Sequence, residues 1–442
     1  MPSARVLELT LTSRAKDASG AAIPMCGFPF HALDTYLGRL IRKGYRVAIC
    51  DQVEDPKKAK GLVKREVTRV VSPGTFTDAT FLDAREPAFL AAVAFSTAAP
   101  PTIGLACLDT STGEFIATEA HGPGAREAIA AELAVIRPKE LLAADEAPIE
   151  GLLPTFATVR TTRLEGWTFE PARAAETLLS QFHVASLSGY GLDATPLATS
   201  AAGAIVDYVR STQKADLTHV RDITLRSATD ALAVDPVTLR HLNVAEGVDG
   251  GREGSLLDAI DRTVTALGGR QLRGWLLRPL VTLERIQDRL DAVEDFAFRA
   301  TERAKLRDAL KGVHDLERLM ARISLGTGGP RDVAALGASI AVLPRIKVVL
   351  EELSAPLIKS LVAELDDLTD VRSDIARVLI DEPPALARDG GMVRDGVDAE
   401  LDGLRDISRG GKTAIAAMED AERARTGINS LKVRYNRVFG YY

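Results

Sequence analysis

The sequence predicts a multidomain protein in which two small α/β domains precede a long α-helical region. Its 442 residues are too many for one hydrophobic core, which favours two to four domains. Short apolar runs with strand character alternate with helical patterns up to about residue 165. Beyond that point, apolar residues recur at helical spacing, and prolines and paired glycines interrupt them. We therefore expect mixed α/β domains joined to a helical one.

The first domain is predicted over residues 1–85. Pro24 and Pro29 argue against regular structure around them, because proline lacks an amide hydrogen. A helical pattern follows, and Gly44 is placed to end it. The predicted elements are, in chain order, a polar loop over residues 12–17, a helix over 31–43 and a buried strand over 45–50.

The second domain is predicted over residues 86–165. Its apolar runs are short, as strands are, and the tetrapeptide 110–113 between two of them has the composition of a turn. An alanine-rich segment after these runs favours a helix. The predicted elements are strands over residues 89–95, 103–109 and 114–118, a helix over 125–136 and a strand over 140–143.

The helical region is predicted over residues 166–398, and a fourth domain over 399–442. Apolar residues at helical spacing extend to about residue 380. Two prolines and two glycines then break the pattern. A charged helix is predicted over residues 399–425, and terminal strands follow it.

Composition excludes several classes of protein. A hydrophobic content of 46% with 26% charged residues is typical of a soluble globular protein. No apolar run approaches the roughly 18 residues of a membrane span, so we expect no membrane partner. Cys26, Cys50 and Cys107 lie far apart and form no Cys-x-x-Cys pair. This spacing indicates a reducing cytosol and argues against a disulfide framework or a zinc knuckle.

Positive charge is concentrated at both ends of the chain. Residues 1–70 contain 13 Lys or Arg and 7 Asp or Glu, whereas the whole chain has a net charge of -6. The last twenty residues contain five Lys or Arg and no acidic residue. Such ends favour contact with a polyanion, although ordinary solvated faces remain an alternative explanation.

The C-terminal residues 436–442, NRVFGYY, have an aromatic strand pattern without a turn or a polar tail. The chain also begins abruptly, close to a strand-like segment. We therefore expect that the sequence is truncated at both ends.

Several blocks of the sequence resemble those of MutS-type DNA mismatch repair proteins, in the same order. The longest is residues 9–75, beginning LTLTSRAKDASGAAIPMCGFPFHALDTYLGRLIRKGYRVAICDQVEDP. Residues 235–243, DPVTLRHLN, depart from the family's usual Ala-Thr-Arg-Arg-Asn-Leu pattern. The other matching blocks are DTSTGEF at 109–115, EGSLLDAIDRTVTALGGRQLRGWLLRPL at 253–280, GTGGPRD at 326–332, RDGGMVRDGVDAELDGLRD at 388–406 and GINSLKVRYNRVFGYY at 427–442.

The resemblance implies a role for each domain. Residues 1–85 would be a mismatch-recognition domain without its N-terminal part, and residues 86–165 a ribonuclease-H-like connector. Residues 166–398 would be the helical core and lever, and residues 399–442 the first part of the clamp. The intact protein would be a bacterial, cytoplasmic, nucleoid-associated homodimer that binds duplex DNA with mismatches or small loops and recruits a MutL-type partner.

The resemblance also implies that ATP and Mg²⁺ act in the intact protein, through an ATPase domain that follows residue 442 in the family. We therefore expect no enzyme activity and no cofactor in this chain. The tetrapeptide Gly410–Thr413, Gly-Gly-Lys-Thr, imitates the end of a phosphate-binding loop. The first glycine of that motif would fall at Asp406, and no buried strand precedes it, so we interpret the match as accidental.

The family inserts a phenylalanine from a Gly-x-Phe-Tyr-Glu strand into the mismatch, and this sequence contains no such motif. An apolar wedge discriminates because a mispaired step is easier to unstack and kink. Phe28 and Phe30 are interpreted as loop and packing residues rather than substitute wedges. The remaining candidates for DNA contact are polar residues that grip phosphates without reading sequence: Ser13, Arg14, Lys16, Lys432, Arg434, Asn436 and Arg437.

Two other classes of function remain as alternatives. The first is a nuclease built on the ribonuclease-H-like connector, which would need three or four converging carboxylates. Asp109, Glu114, Glu140 and Asp145 are the available acids, and we interpret Asp109 as the residue that caps the 110–113 turn. The second alternative is a helical scaffold protein.

Overall fold

The computed structural model describes residues 2–16, 19–55, 63–78, 81–97, 99–153, 159–227, 231–232, 234–436 and 440–442. It divides into two compact units, Met1–Leu368 and Thr369–Tyr442. The first unit contains the α/β domains and most of the helices, and the second contains a long helix and the terminal strands.

The chain begins with a short helix and a hairpin instead of the expected irregular segment. Helix α1 (Pro2–Leu7) precedes β1 (Thr12–Lys16), which pairs antiparallel with β2 (Ala22–Met25). The predictions of a polar loop at 12–17 and of irregular structure at Pro24 were therefore wrong. In this two-stranded sheet both strands are edges, where a proline without an amide hydrogen is tolerated.

A helix and a second two-stranded sheet complete the first domain. Helix α2 (Leu33–Arg42) confirms the helical prediction. Strand β3 (Val47–Gln52) pairs antiparallel with β4 (Arg65–Val71). The prediction that this strand is buried was wrong, because only alternate residues such as Val47 and Ile49 pack on the small core and the rest of β3 is exposed.

The second domain is built on a six-stranded mixed sheet with the order β10-β7-β6-β5-β8-β9. Strands β5 to β7 are an antiparallel meander, whereas β8 is parallel to β5, β9 is parallel to β8 and β10 is parallel to β7. Strands β5 to β8 confirm the four strands predicted from the sequence, whereas β9 and β10 were not predicted. Their bounds are β5 (Leu90–Phe95), β6 (Thr102–Leu108), β7 (Phe115–His121), β8 (Glu140–Ala144), β9 (Arg160–Leu164) and β10 (Thr224–Leu225).

Helices cover both faces of this sheet. Helix α3 (Ala125–Ile136), which confirms the predicted helix, packs on one face, and α4 (Pro171–Phe182) and α5 (Pro196–Gln213) pack on the other. A Cβ on Gly104 would lie 2.1 Å from the main-chain carbon of Leu197, so α5 rests directly on strand β6. Burial on both faces fits a continuously apolar central strand, as β5 is. The packing of this domain therefore continues beyond residue 165, where the sequence analysis ended it.

The remainder of the first unit is helical, as predicted. Polar side chains such as Asp235 and Ser255 accept hydrogen bonds from the first free amides of their helices. Helix α9 has no buried residue, and its Leu283 and Phe298 are 75% and 82% exposed. The helices are α6 (Pro236–His241), α7 (Leu256–Ile260), α8 (Ala266–Leu277), α9 (Leu283–Phe298), α10 (Ala300–Leu310), α11 (Leu316–Ser324), α12 (Pro330–Ile340), α13 (Leu343–Glu351) and α14 (Pro356–Glu364).

One stretch, Pro330–Glu351, is long and apolar enough to cross a membrane by length and composition. The expectation that no apolar run approaches this length was therefore wrong. The stretch consists of α12 and α13, and its charged residues contact neighbouring helices. Arg345 pairs with Asp308 at 2.9 Å, and Lys347 donates to the Leu365 carbonyl at 3.1 Å. Such contacts are typical of a layer in a helical domain.

The second unit is organised around one long helix. Helix α15 (Thr369–Val378) is followed by the predicted break, and α16 (Ala399–Thr426) confirms the charged helix. Asp398 accepts a hydrogen bond at the start of α16, and Gly427 ends it with a positive φ of 70°. Two short strands, β11 (Tyr435–Asn436) and β12 (Gly440–Tyr441), form an antiparallel hairpin after it.

Candidate nucleic-acid interface

The first group of predicted DNA contacts lies on the N-terminal hairpin. Strand β1 contains Ser13, Arg14 and Lys16, and both Ser13 and Lys16 are exposed. The side chain of Arg14 lies outside the described part of the structure. Main-chain pairing with β2 holds these residues on a strand, which is a more fixed platform than the loop we expected.

The second group lies at the end of the long helix, on the terminal hairpin. The Arg434 amide donates to the Tyr442 carbonyl at 2.9 Å, and the Tyr442 amide donates to the Arg434 carbonyl at 2.8 Å. Lys432 and Arg434 are exposed. The side chain of Asn436 and the whole of Arg437 lie outside the described residues. The hairpin therefore brings at least two exposed cations together.

Side chains near the end of α16 fix the start of this hairpin. Arg423 Nε donates to the Leu431 carbonyl at 2.8 Å, and the Val433 amide donates to Glu419 Oε2 at 3.0 Å. The chain after the helix is consequently tied back to the last turns of the helix. Lys432 lies between these two attachment points, so its position follows that of α16.

The positive charge of the last twenty residues is partly neutralised by acids that precede them. Arg423 pairs with Glu419 and with Asp420, and Arg425 pairs with Glu422 at 2.7 Å. Among the described residues, no carboxylate pairs with Lys432 or Arg434. Of the described cations in this segment, these two have no carboxylate partner.

The two phenylalanines that were considered as substitute wedges, Phe28 and Phe30, have different environments. The Phe28 ring stacks on Tyr36 with a centroid distance of 4.4 Å, which confirms that it is a packing residue. Phe30 is 69% exposed, so its interpretation as a packing residue was wrong. It begins a 3-10 turn, Phe30–Ala32, directly before α2.

The environment of Asp109 confirms its structural role. Its Oδ1 accepts from the Ser111 amide at 2.9 Å and from the Ser111 hydroxyl at 2.6 Å, and its Oδ2 accepts from the Ala88 amide at 2.8 Å. Its carbonyl accepts from the Thr112 and Gly113 amides, which closes the turn. A carboxylate with this many donors caps the turn and is not free to bind a metal ion.

The other acids of the domain do not converge on Asp109. Glu114 pairs with Arg226 at 3.1 Å, Glu140 is buried among other donors, and Asp145 is exposed. Within the described residues, no group of three or more His, Cys, Asp or Glu is placed to hold a metal ion. The carboxylates of this domain therefore do not support the nuclease alternative.

The Gly410–Thr413 tetrapeptide lies inside α16. Amides in the middle of a helix already donate to carbonyls of the preceding turn, so they cannot surround a phosphate as a loop before a helix does. The interpretation of this match as accidental is supported by its position.

We predict that Lys412→Ala leaves nucleotide binding by this chain at background, because the residue belongs to a helix and not to a phosphate loop. The measurement is equilibrium dialysis with labelled ATP, with Lys347→Ala as a lysine control on another helix. Saturable ATP binding that Lys412→Ala abolishes and Lys347→Ala preserves would contradict this prediction.

A segment that sequence reasoning missed connects the first two domains to the helices. Two arginines of the helical region hold residues 83–86, which we call the 83–86 joint. Arg318 is only 3% exposed, and its Nη2 donates hydrogen bonds to the carbonyls of Asp83 and Glu86, each at 2.9 Å. Arg270 donates to the Ala84 carbonyl of the joint at 2.8 Å. The joint is therefore fixed through its main chain.

The side chain of the joint's own arginine completes the attachment. Arg85 Nη1 donates to Asp261 Oδ2 at 2.6 Å and to Thr263 Oγ1 at 2.8 Å, and Arg252 also donates to Asp261. Burial alone would raise the pKa of Asp261. Hydrogen bonds from Thr263, Arg252 and Arg85 outweigh burial and lower that pKa below its usual range. Asp261 is thus a buried carboxylate with two guanidinium partners.

Three models of known protein families match consecutive parts of this chain. The family description "MutS domain I" matches residues 2–80, "MutS domain II" matches 88–221 and "MutS domain III" matches 237–435. The chain belongs to the MutS family. The domain II match includes α4 and α5, in agreement with their packing on the six-stranded sheet.

Proteins that carry the name of this family in several organisms are similar to this chain over nearly its whole length. The "DNA mismatch repair protein MutS" of Symbiobacterium thermophilum is 45% identical over 444 residues, which cover 99% of this chain and 50% of that protein. The proteins of the same name from Myxococcus xanthus and Methanothrix thermoacetophila are 46% and 41% identical, and the alignments cover 100% of this chain and 49% of each relative. The chain therefore spans about half the length of the curated relatives it matches.

Proposed function

We propose that this chain is the DNA-binding part of a mismatch repair protein, and that it contacts mismatched duplex DNA through the phosphate backbone. The observation that carries the proposal is the ordered match of three MutS domains across residues 2–435. The names of the relatives support the same process. The whole protein would use these domains to bind duplexes with mismatches or small loops.

The geometry of the terminal hairpin supports backbone contact. Lys432 and Arg434 are exposed and have no carboxylate partner among the described residues, so a phosphate can approach both. Lysine and arginine contacts to phosphate fix the position of a protein on DNA without reading its sequence. Ser13 and Lys16 on the N-terminal hairpin are proposed to add contacts of the same kind.

The remaining functions belong to the longer protein. We propose that it acts as a cytoplasmic, nucleoid-associated homodimer with a MutL-type partner, and that it binds ATP and Mg²⁺ in a region outside this chain. Gly410–Thr413 does not fit a nucleotide, because its amides are committed to the helix. No step of nucleotide chemistry is therefore assigned to these residues.

The proposal predicts weak binding of duplex DNA with little preference for a mismatch, because phosphate-gripping residues are present and the Gly-x-Phe-Tyr-Glu motif is not in the sequence. Fluorescence anisotropy with a G·T mismatch and a matched homoduplex, each measured over a range of salt, tests this prediction. A preference of about tenfold, or 1.4 kcal/mol, for the mismatch would contradict it. Absence of any salt-sensitive binding would favour the scaffold alternative.

We predict that Lys432→Ala combined with Arg434→Ala weakens binding equally on matched and mismatched duplex. The slope of log K against the logarithm of salt concentration should become shallower by about two, which is roughly one unit for each lost phosphate contact. Arg425→Ala is the matched control, because Glu422 already neutralises that arginine. An unchanged salt dependence with a loss confined to mismatched DNA would assign the two residues to recognition instead.

A further inference from the structure

An arginine-rich cavity lies between the six-stranded sheet domain and helices α8 and α9. Its volume is about 510 Å³, within the range of sites for small molecules. Five arginines and two glutamates line it together with apolar residues. The charged residues are Arg226, Arg270, Arg273, Arg278, Arg285, Glu114 and Glu317.

Three of the five guanidinium groups already have carboxylate partners. Arg226 pairs with Glu114 at 3.1 Å, and Arg278 pairs with Glu132 at 2.5 Å. Arg270 makes a two-pronged contact with Asp315, at 2.7 and 2.8 Å, and also reaches Glu317 at 2.6 Å. These ion pairs fix the positions of the three arginines and neutralise most of their charge.

The other two, Arg273 and Arg285, make no hydrogen bond or ion pair within the described residues. Burial lowers the pKa of Arg273, and the charges of Glu86 and Asp83 only partly oppose that effect. Arg252 adds repulsion. Arg273 is half-buried and Arg285 is exposed, so an anionic ligand would give both guanidinium groups a partner and would offset the partial loss of water around Arg273.

We propose that this cavity binds a small phosphorylated molecule, and that Arg273 and Arg285 grip its phosphate. The planar fork of arginine matches two phosphate oxygens at once, which lysine cannot do. Trp275 and Leu280 provide an apolar wall for the remainder of the molecule. The residues that line the cavity include none of the proposed DNA-contacting residues, so this proposal does not depend on DNA binding.

Isothermal titration of the full 442-residue chain with pyrophosphate tests the proposal. We expect saturable binding with one site per chain. Arg273→Ala and Arg285→Ala should each weaken it about tenfold or more, because each removes hydrogen bonds between charged groups. Arg345→Ala is the matched control, since that exposed arginine lies on α13 and does not line the cavity. It should leave the affinity within about twofold, a difference below 0.5 kcal/mol.

Arg285 is exposed, so Arg285→Ala is expected to fold normally and decides the question if Arg273→Ala does not fold. Circular dichroism of each variant checks folding. Absence of saturable binding by the unmodified chain would overturn the proposal. Wild-type affinity in folded Arg285→Ala, or an equal loss in Arg345→Ala, would also overturn it.

Discussion

Glu140→Ala is expected to lower the free energy of unfolding of the sheet domain by about 3 kcal/mol, because it leaves several buried donors without an acceptor. Glu140 is fully buried. Its Oε1 accepts from Thr162 Oγ1 at 2.6 Å and from the Tyr208 hydroxyl at 3.0 Å, and its Oε2 accepts from the Gly74 amide at 3.2 Å. Urea unfolding followed by circular dichroism is the measurement.

The matched control for this variant is Glu146→Ala, which removes an exposed glutamate from the turn after the same strand. A surface change of this kind should alter the free energy of unfolding by no more than about 0.5 kcal/mol. Burial, and then the charge of Glu140, raise the pKa of Tyr208 to about 12, so its hydroxyl remains a donor at neutral pH. Equal stability of the two variants would show that the buried hydrogen bonds contribute nothing.

Asp261→Asn is expected to lower the free energy of unfolding by about 2 kcal/mol at pH 7 and to loosen the 83–86 joint. The Asp261 side chain is 1% exposed, but Arg85 and Arg252 remain 36% and 33% exposed. Water therefore screens part of the interaction, and the loss should be smaller than the roughly 3–5 kcal/mol of a fully buried pair. Urea unfolding measures stability, and hydrogen exchange of the joint measures its local opening.

The pH dependence of this difference follows from the lowered pKa of Asp261. A carboxyl whose pKa is lower in the folded state stabilises that state above the unfolded pKa of about 3.9, and the stabilisation is lost as pH falls through the folded value. The gap between wild type and Asp261→Asn should therefore be constant above about pH 5 and shrink in more acidic buffer.

Asp258→Asn is the control for this series, because Asp258 lies 3.9 Å from Arg252 and is 46% exposed. It should change stability little at any pH. If the difference in the free energy of unfolding between wild type and Asp261→Asn grows as pH falls, the assignment of a lowered pKa to Asp261 is contradicted.

Strands β5 to β8 of the second domain could be predicted because short apolar runs mark them in the sequence, whereas the polar strand β9 and the two-residue strand β10 were not predicted. The β1–β2 hairpin leaves no such signal. Its residues are polar and exposed, and main-chain pairing that tolerates Pro24 at an edge creates the strand. Hydrophobic periodicity detects buried faces, so exposed hairpins of this kind escape it.

Side-chain contacts also differ in whether the sequence could predict them. The spacing of Glu419 and Arg423, four residues apart on a predicted helix, could have revealed that this arginine is paired. The 83–86 joint could not be found in this way, because Arg318 contacts a carbonyl 235 residues earlier. Contacts between distant segments depend on the packing of whole domains, which one sequence does not display.

The uninterrupted length of α16 has a mechanical consequence. Its 28 residues correspond to a rod of about 42 Å, since a helix rises about 1.5 Å per residue. A tilt of about 10° at the first turn would displace the far end by about 7 Å, or roughly twice the 3.4 Å rise per base pair along the axis of a DNA duplex. Since Arg423 and Glu419 tie the hairpin to the helix, Lys432 and Arg434 would travel with it. A rotation of about 10° at the base of α16 would therefore move these two cations by about 7 Å.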